Sequence, residues 1–312
     1  MIDKLITTPK HQDLIYDIGM HIGQDTEFYL RKGFRVIAFE ANPDMVSTCS
    51  YRFKKFIDQG KLTIVEGAIV DLKTINADQQ KIQFYKNDEV SVWGTVLANW
   101  SERNERLGTL NSIIEVNVVD FAKVIQKYGV PHFMKIDIEG CDMVCVNTLR
   151  LFSEHPDYIS IESDKTSFSN VQREINVLAD LGYNFFQAVE QSQIALTQSP
   201  PYSATEGEYV DHLFEEGSSG LFGSELVGKW KSKNEVLCQY CVIRLGYYLL
   251  GDDGVMQRLS QLRFRGSWRL EKLIVKLTNF LRNLLPLITK SAVPGWYDTH
   301  ARHSSVVSNN VE

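Results

Sequence analysis

No stretch of the chain approaches the about 18 uninterrupted apolar residues of a membrane-spanning helix, so no helical span is expected. The opening ten residues, MIDKLITTPK, lack the apolar stretch of a secretory leader, and no signal peptide is expected. Repeats and low-complexity tracts are absent. Cysteine is scarce, at five residues in 312. Cys238 and Cys241 form a lone C-x-x-C with no second pair to complete a zinc site. They lie in the apolar helical pattern VLCQYCVIRLGYYLL, where core packing accounts for them. This cysteine usage fits a reducing compartment, so a cytoplasmic location is expected.

What is present is an ordinary globular composition, 44% hydrophobic and 23% charged. The net charge of −6 is unevenly spread. Residues 226–290 carry 12 Lys and Arg against 4 Asp and Glu, so an acidic body bears a basic C-terminal region. An acidic body argues against a nucleic acid lying across the main cleft.

The chain is organised around residues 12–42, QDLIYDIGMHIGQDTEFYLRKGFRVIAFEAN. Residues 13–18 are an apolar run with branched side chains, as in a buried strand. A turn spaced by Gly19 and Gly23 follows, then a helix over 25–32 that ends at Gly33. Residues 35–39 form a second strand that finishes on Glu40. Strand, glycine turn, helix, strand and acid make half of a nucleotide-binding α/β unit. The glycines would admit a ligand close to the backbone, the helix start would offer free N–H groups, and Glu40 would accept from a ribose diol. A dinucleotide fingerprint would need a third glycine at position 24, where Gln24 stands. Asp17 would repel a pyrophosphate and suits a ligand carrying an ammonium group. S-adenosylmethionine has an ammonium, a sulfonium and a ribose, and no phosphate.

The α/β alternation continues. A helix is expected over 45–58, strands over 62–65, 82–85 and 113–119, a polar mobile loop over 101–109, and a helix over 120–127. The second dense stretch is PHFMKIDIEGCDMVCV, a strand over 133–138 that brings Asp137 and Glu139 to the crevice beyond the strand ends. If the strand persists, both project to one side. A strand over 157–161 ends near Glu162 and Asp164; such carboxylates could bind a divalent cation, orient a hydroxyl or act as general base. A helix over 171–181 and a strand over 183–189 follow, then a long polar loop to 224 that contains His212. These spans divide the chain into a body at 1–224, a basic helical extension at 225–290 and a tail at 291–312 with a disordered end. The amphipathic stretch LEKLIVKLTNFLRNLL could lie on a membrane surface, and packing on its own protein is preferred.

The ordered blocks YDIGMHIGQDT, VIAFEANP, EGAIVD, FMKIDIEG and YISIES, over about residues 12–190, resemble the FkbM-type methyltransferases, and PGWYDTHA resembles a tail found in one branch of that family. The resemblance implies a Rossmann-like class I methyltransferase fold: a mostly parallel seven-stranded sheet with helices on both faces. It implies S-adenosylmethionine as cofactor and transfer to an oxygen, often a hydroxyl of a small molecule, natural product, sugar or glycan. Asp17, Gly19 and Gly23 match the family's first cofactor loop, Glu40 its ribose-binding acid, and Asp137, Glu139 and Gly140 its Lys-Ile-Asp-x-Glu-Gly block. Ala68 lies where the third-strand loop borders the adenine. The expected cofactor set is completed by Met20, His21, Thr26, Ala41, Asn42 and Gly67, with Met20 and His21 standing where many members have Ala and Asn.

The expected catalytic residues are Asp137, Glu139 and His212, with Glu139 and His212 level as base and Asp137 also able to touch the cofactor amino group. His300 and His303 are weaker candidates. No metal is assigned. Two other readings stay open, a nicotinamide-dependent oxidoreductase and a non-catalytic module that binds S-adenosylmethionine.

Overall fold

The computed structural model describes residues 5–306 except 77, 88, 90–93, 107, 139, 164–166, 251–253, 257, 259–271, 273–275, 282–283 and 285–295. The chain runs β1 (Lys10–Ile18), α1 (Gln24–Arg31), β2 (Arg35–Glu40), α2 (Pro43–Arg52), α3 (Lys54–Asp58), β3 (Leu62–Glu66), β4 (Ala68–Ile69), β5 (Lys81–Asn87) and α4 (Ala98–Arg106). It continues with β6 (Asn111–Val119), α5 (Phe121–Tyr128), β7 (Val130–Ile136), α6 (Asp142–Thr148), β8 (Tyr158–Glu162), α7 (Phe168–Asp180), β9 (Tyr183–Glu190), α8 (Ile194–Thr197), α9 (Lys233–Leu250) and β10 (Tyr297–His303).

Seven strands form one sheet in the order β3-β2-β1-β7-β8-β10-β9. The pairings from β3 to β8 are parallel, whereas β10 runs antiparallel to both β8 and β9. This is the mostly parallel sheet expected for a class I methyltransferase. A parallel strand covered on both faces must be apolar along its length, and β7, VPHFMKI, is buried at every position. Alternate residues of β1 feed two cores. Leu14, Tyr16 and Ile18 face α5, α6, α7 and α9, whereas Ile15 faces α1 and α2. A smaller sheet, β4-β6-β5, flanks the main one.

Several local expectations change. The polar stretch 101–109 supplies most of α4 rather than a loop, because Leu97 and Trp100 close against Gly140 and give the helix a surface to cover. The helix expected over 45–58 breaks at Phe53 into α2 and α3. β7 ends at Ile136, so the strand does not persist through Asp137. The tail contributes β10, the antiparallel strand between β8 and β9. From the basic extension, Val236, Tyr240 and Ile243 of α9 enter the core beneath α7 and β9. Half of the amphipathic stretch LEKLIVKLTNFLRNLL falls outside the described residues. No helix among the described residues is long and apolar enough to cross a membrane.

Candidate active site

The site is built on the turn after β1. Gly19 and Met20 N–H groups both donate to the Phe39 carbonyl, at 3.1 and 3.0 Å, and the Gly23 N–H donates to the Met20 carbonyl at 2.8 Å. Gly19, His21 and Gly23 have φ of 88°, 50° and 85°, the left-handed region that glycine enters without strain. A Cβ on Gly19 would stand 1.9 Å from the Asp137 carbonyl oxygen, and one on Gly23 would stand 2.4 Å from the Phe53 ring. The two glycines therefore admit the protein's own backbone and ring, a tighter reason than the ligand approach expected from the sequence.

Glu40 closes the end of β2. Its Oε2 accepts the His21 N–H at 2.9 Å and its Oε1 accepts the Asn42 N–H at 2.8 Å. Burial pushes its carboxyl up to about 7. Asn42 in turn caps α2, its Oδ1 accepting the Asp44 N–H at 3.0 Å. The Gly67 N–H donates to the Glu40 carbonyl at 2.9 Å. His21, Glu40, Asn42 and Gly67 are thus brought to one strand end, beside Ala41. Met20 is buried in the core under α1, and Ala68 is buried in a separate cluster that Ala41 joins.

Asp17 is fully buried. Its Oδ2 accepts the Thr26 hydroxyl at 2.5 Å, while its Oδ1 has no hydrogen bond among the described residues. Burial pushes its carboxyl up to about 6. The nearest cation is Lys135 of β7, whose Nζ lies 3.6 Å from Asp17, 3.5 Å from Asp25 and 3.8 Å from Asp137, and donates to the Gly19 carbonyl at 3.2 Å. Burial disfavours the Lys135 charge, but Asp17, Asp25, Asp137 and Asp298 more than offset it and raise its pKa. Asp25 also accepts the Ser219 N–H, which ties the long loop after β9 to the start of α1. Asp137 is half-exposed at the mouth of this cluster. Sequence reasoning passed over Lys135 as a hub, and its signal was a lysine inside an otherwise apolar strand.

The expected catalytic residues do not all converge. Glu139 lies outside the described residues. His212 packs at the far end of α1 from the turn. Its Nδ1 lies 3.1 Å from an Arg31 guanidinium nitrogen and its ring centroid is 5.0 Å from that of Phe28. Burial and the neighbouring Arg31 lower its pKa. His212 is therefore not placed with Asp17, Lys135 and Asp137, because residues 211–214 are held against the last turn of α1 by Arg31 and Phe28. His303 packs against Tyr183 and His155. His300 is buried in the middle of β10.

The residues fit a cationic cofactor better than a phosphorylated one. Around the β1–α1 turn, the described side chains offer several carboxylates to one lysine that they already hold. A sulfonium or ammonium would be favoured there, and a pyrophosphate would be repelled.

A sequence profile of the methyltransferase FkbM domain matches residues 17–185. No curated protein matches the chain. Among solved structures, the chain is similar to a precorrin-6y C5,15-methyltransferase from Geobacter metallireducens at 14% identity and a TM-score of 0.31, over 57% of this chain and 66% of that one. It is similar to a precorrin 8w decarboxylase from Methanobacterium thermoautotrophicum at 14% identity and 0.31, over 61% and 74%. It is similar to a coclaurine N-methyltransferase bound to N-methylheliamine and SAH at 9% identity and 0.29, over 92% and 66%. Likeness this distant carries no argument, and the fold rests on the strand order itself. The profile spans more than half of the chain, from Asp17 of β1 into the strand β9, and on that match the chain belongs to the FkbM methyltransferase domain family.

Proposed function

We propose that the protein is an S-adenosylmethionine-dependent O-methyltransferase whose acceptor is a hydroxyl of a small molecule, natural product, sugar or glycan. The observation that carries this reading is the charge of the site: Asp17, Asp25, Asp137 and Asp298 gather around Lys135 at the carboxyl ends of β1 and β7. The family match supports methyl transfer over hydride transfer. Glu40 would hold the ribose hydroxyls, since the His21 and Asn42 N–H groups fix both its oxygens and each oxygen retains accepting capacity. Asp137 and the turn after Gly19 would hold the amino-acid end, and the buried Asp17 would act on it only through its field. When bound, the cofactor supplies an electrophilic methyl group. The chain's own task is to hold a hydroxyl beside it and to remove a proton. The acceptor carries little negative charge in this reading, because the carboxylates would repel a phosphate or carboxylate brought among them.

The test is calorimetric titration of the purified protein with S-adenosylmethionine, followed by transfer of tritium-labelled methyl to pooled hydroxylated metabolites and glycans. Binding in the micromolar range and labelled products cleaved only by ether-breaking chemistry are expected. Absence of binding, or label on nitrogen alone, refutes the reading.

A further inference from the structure

The antiparallel strand β10 brings one group to the strand ends that the sequence never placed there. Asp298 sits in register with Glu162, the last residue of β8, and His300 with Ser160. Lys135 pairs with Ser160 on the other side, and Asp17 pairs with Lys135. Side chains in register share a face, so Asp17, Lys135, Ser160 and His300 form one row, with Asp298 a step closer to the mouth. The row is buried, yet the Asp17 Oδ1, Ser160 Oγ and His300 Nε2 atoms have no hydrogen-bond partner among the described residues. The Tyr29 hydroxyl of α1 is likewise fully buried and has no hydrogen-bond partner among the described residues, and burial, then the charges of Asp25, Asp17 and Asp298, raise its pKa. Buried polar atoms normally find partners. Ser160 Oγ, His300 Nε2 and the Tyr29 hydroxyl stay unpaired among the described residues around this buried row, and Asp17 Oδ1 has only the Lys135 ammonium, 3.6 Å away.

The carboxylates of the patch differ in how far they are committed. Asp17 holds Thr26 and has no exposed surface. Asp25 accepts the Ser219 N–H and lies beside Lys135. Asp137 also lies near Lys135. The Asp298 carboxyl makes no hydrogen bond among the described residues. We infer that Asp298 is the catalytic base of the reaction, taking the proton of the acceptor hydroxyl at the edge of the sheet between β7, β8, β10 and α1. The inference rests on the reading of methyl transfer to a hydroxyl given above. As the hydroxyl oxygen bonds to the methyl carbon, the carbon–sulfur electron pair stays on sulfur, and the hydroxyl proton moves to an Asp298 carboxylate oxygen.

The charges acting on Asp298 are those of Asp137 and Lys135 from β7, Glu162 from β8 and Asp25 from α1, and Asp298 in turn acts on Tyr29 of α1; Tyr240 of α9 lies on the other face of β10, bonded to Thr299 at 2.6 Å. Burial, then Asp137 and Glu162, push its carboxyl well above the ordinary range, against the pull of Lys135. A cation brought into the patch favours its carboxylate, so arrival of the cationic donor would shift Asp298 toward the form that takes a proton.

The test uses the full chain, with Asp298→Asn and Asp298→Glu, and a panel of methyl glycosides and ring-substituted phenols as acceptor probes. Asp298→Asn is expected to slow transfer to the weakly acidic hydroxyls by at least about 100-fold. It should slow transfer far less to the most acidic phenol, which is already ionised, and the acid limb of the pH–rate profile should disappear. Calorimetry of S-adenosylmethionine binding in buffers of different ionisation enthalpy should show less proton release by Asp298→Asn than by wild type. Asp298→Glu should restore part of the rate and the acid limb, and it decides the matter if the asparagine variant fails to fold. A folded Asp298→Asn with the wild-type rate, pH profile and proton release overturns the assignment while leaving the methyltransferase reading intact. A wild-type protein that binds no S-adenosylmethionine, or transfers to none of the probes, overturns both.

Discussion

The buried histidine His132 should make the stability of this protein fall at alkaline pH by an amount that can be worked out. His132 lies near the start of β7, away from the strand ends that carry the site. Its Nδ1 is 2.9 Å from an Asp157 oxygen and its Nε2 is 2.8 Å from a Glu206 oxygen. With a carboxylate on each side, both ring nitrogens donate and the imidazolium is favoured. Burial opposes the charge, but the hydrogen bonds to Asp157 and Glu206 more than offset it and raise the pKa from 6.5 to about 9. The folded-state value is raised, so the stabilisation is complete below pH 6.5 and is lost as the pH rises through about 9. At about 1.4 kcal/mol per pH unit, that gap corresponds to about 3 kcal/mol. For a domain of this size, about 2 °C of melting temperature accompanies each kcal/mol, which gives a fall of about 6 °C between pH 6.5 and 10 attributable to this one residue. The assay is thermal denaturation across that range for wild type and His132→Gln. The variant should start lower, because Glu206 loses its buried cation, and its melting temperature should decline less steeply with pH. Parallel curves would refute the argument. Glu206 also accepts from Ser224, so the same titration should loosen the loop that covers α1.

Three further outcomes follow from particular contacts. Glu40→Gln puts an amide NH₂ against either the His21 or the Asn42 N–H and should weaken S-adenosylmethionine binding by about 1–3 kcal/mol; an unchanged calorimetric affinity would remove Glu40 from the ribose role. Lys135→Met strands Asp17 and Asp25 in the interior and should cost about 3–5 kcal/mol in urea denaturation, with part of the loss recovered in the double variant Lys135→Met/Asp17→Asn; strictly additive losses would show that the two do not act as a pair. Glu225 receives Lys32 Nζ within a fully buried ion pair and accepts the Thr205 and Glu206 N–H groups, so Glu225→Gln should destabilise by about 3 kcal/mol. Limited proteolysis should then cut residues 200–224 sooner than in wild type, and an unaltered cleavage rate would contradict the clamp.

The core of the fold was legible because its signals are local. The β1–α1–β2 unit reads from an apolar run, a glycine-spaced turn and a helix period within about 30 residues, and Glu40 stands where the reading put it. The strand β7 announces itself in the same way, since a strand covered on both faces must be apolar. α4 was missed for the opposite reason. Its residues are polar, and the surface it covers, at Gly140, lies about 40 residues further along the chain.

The composition of the site divides along the same line. The sequence by itself determined the turn after β1, the acid ending β2 and the arrival of Asp137 at the end of β7, each a consequence of strand length and local chain reversal. Only the tertiary structure decided what those groups face. The segment YDTHARH is polar and reads as a tail; it becomes an interior strand because β8 and β9 satisfy its backbone from both sides, and its Asp298 and His300 are thereby carried into the site. Lys135 becomes the centre of four carboxylates because β1, α1 and β10 deliver three of them to the one at the end of its own strand. His212 is kept at the far end of α1 because Arg31 and Phe28 hold it there. The environment of a buried charge is set by partners distant in the chain, and no local pattern encodes which partners those are.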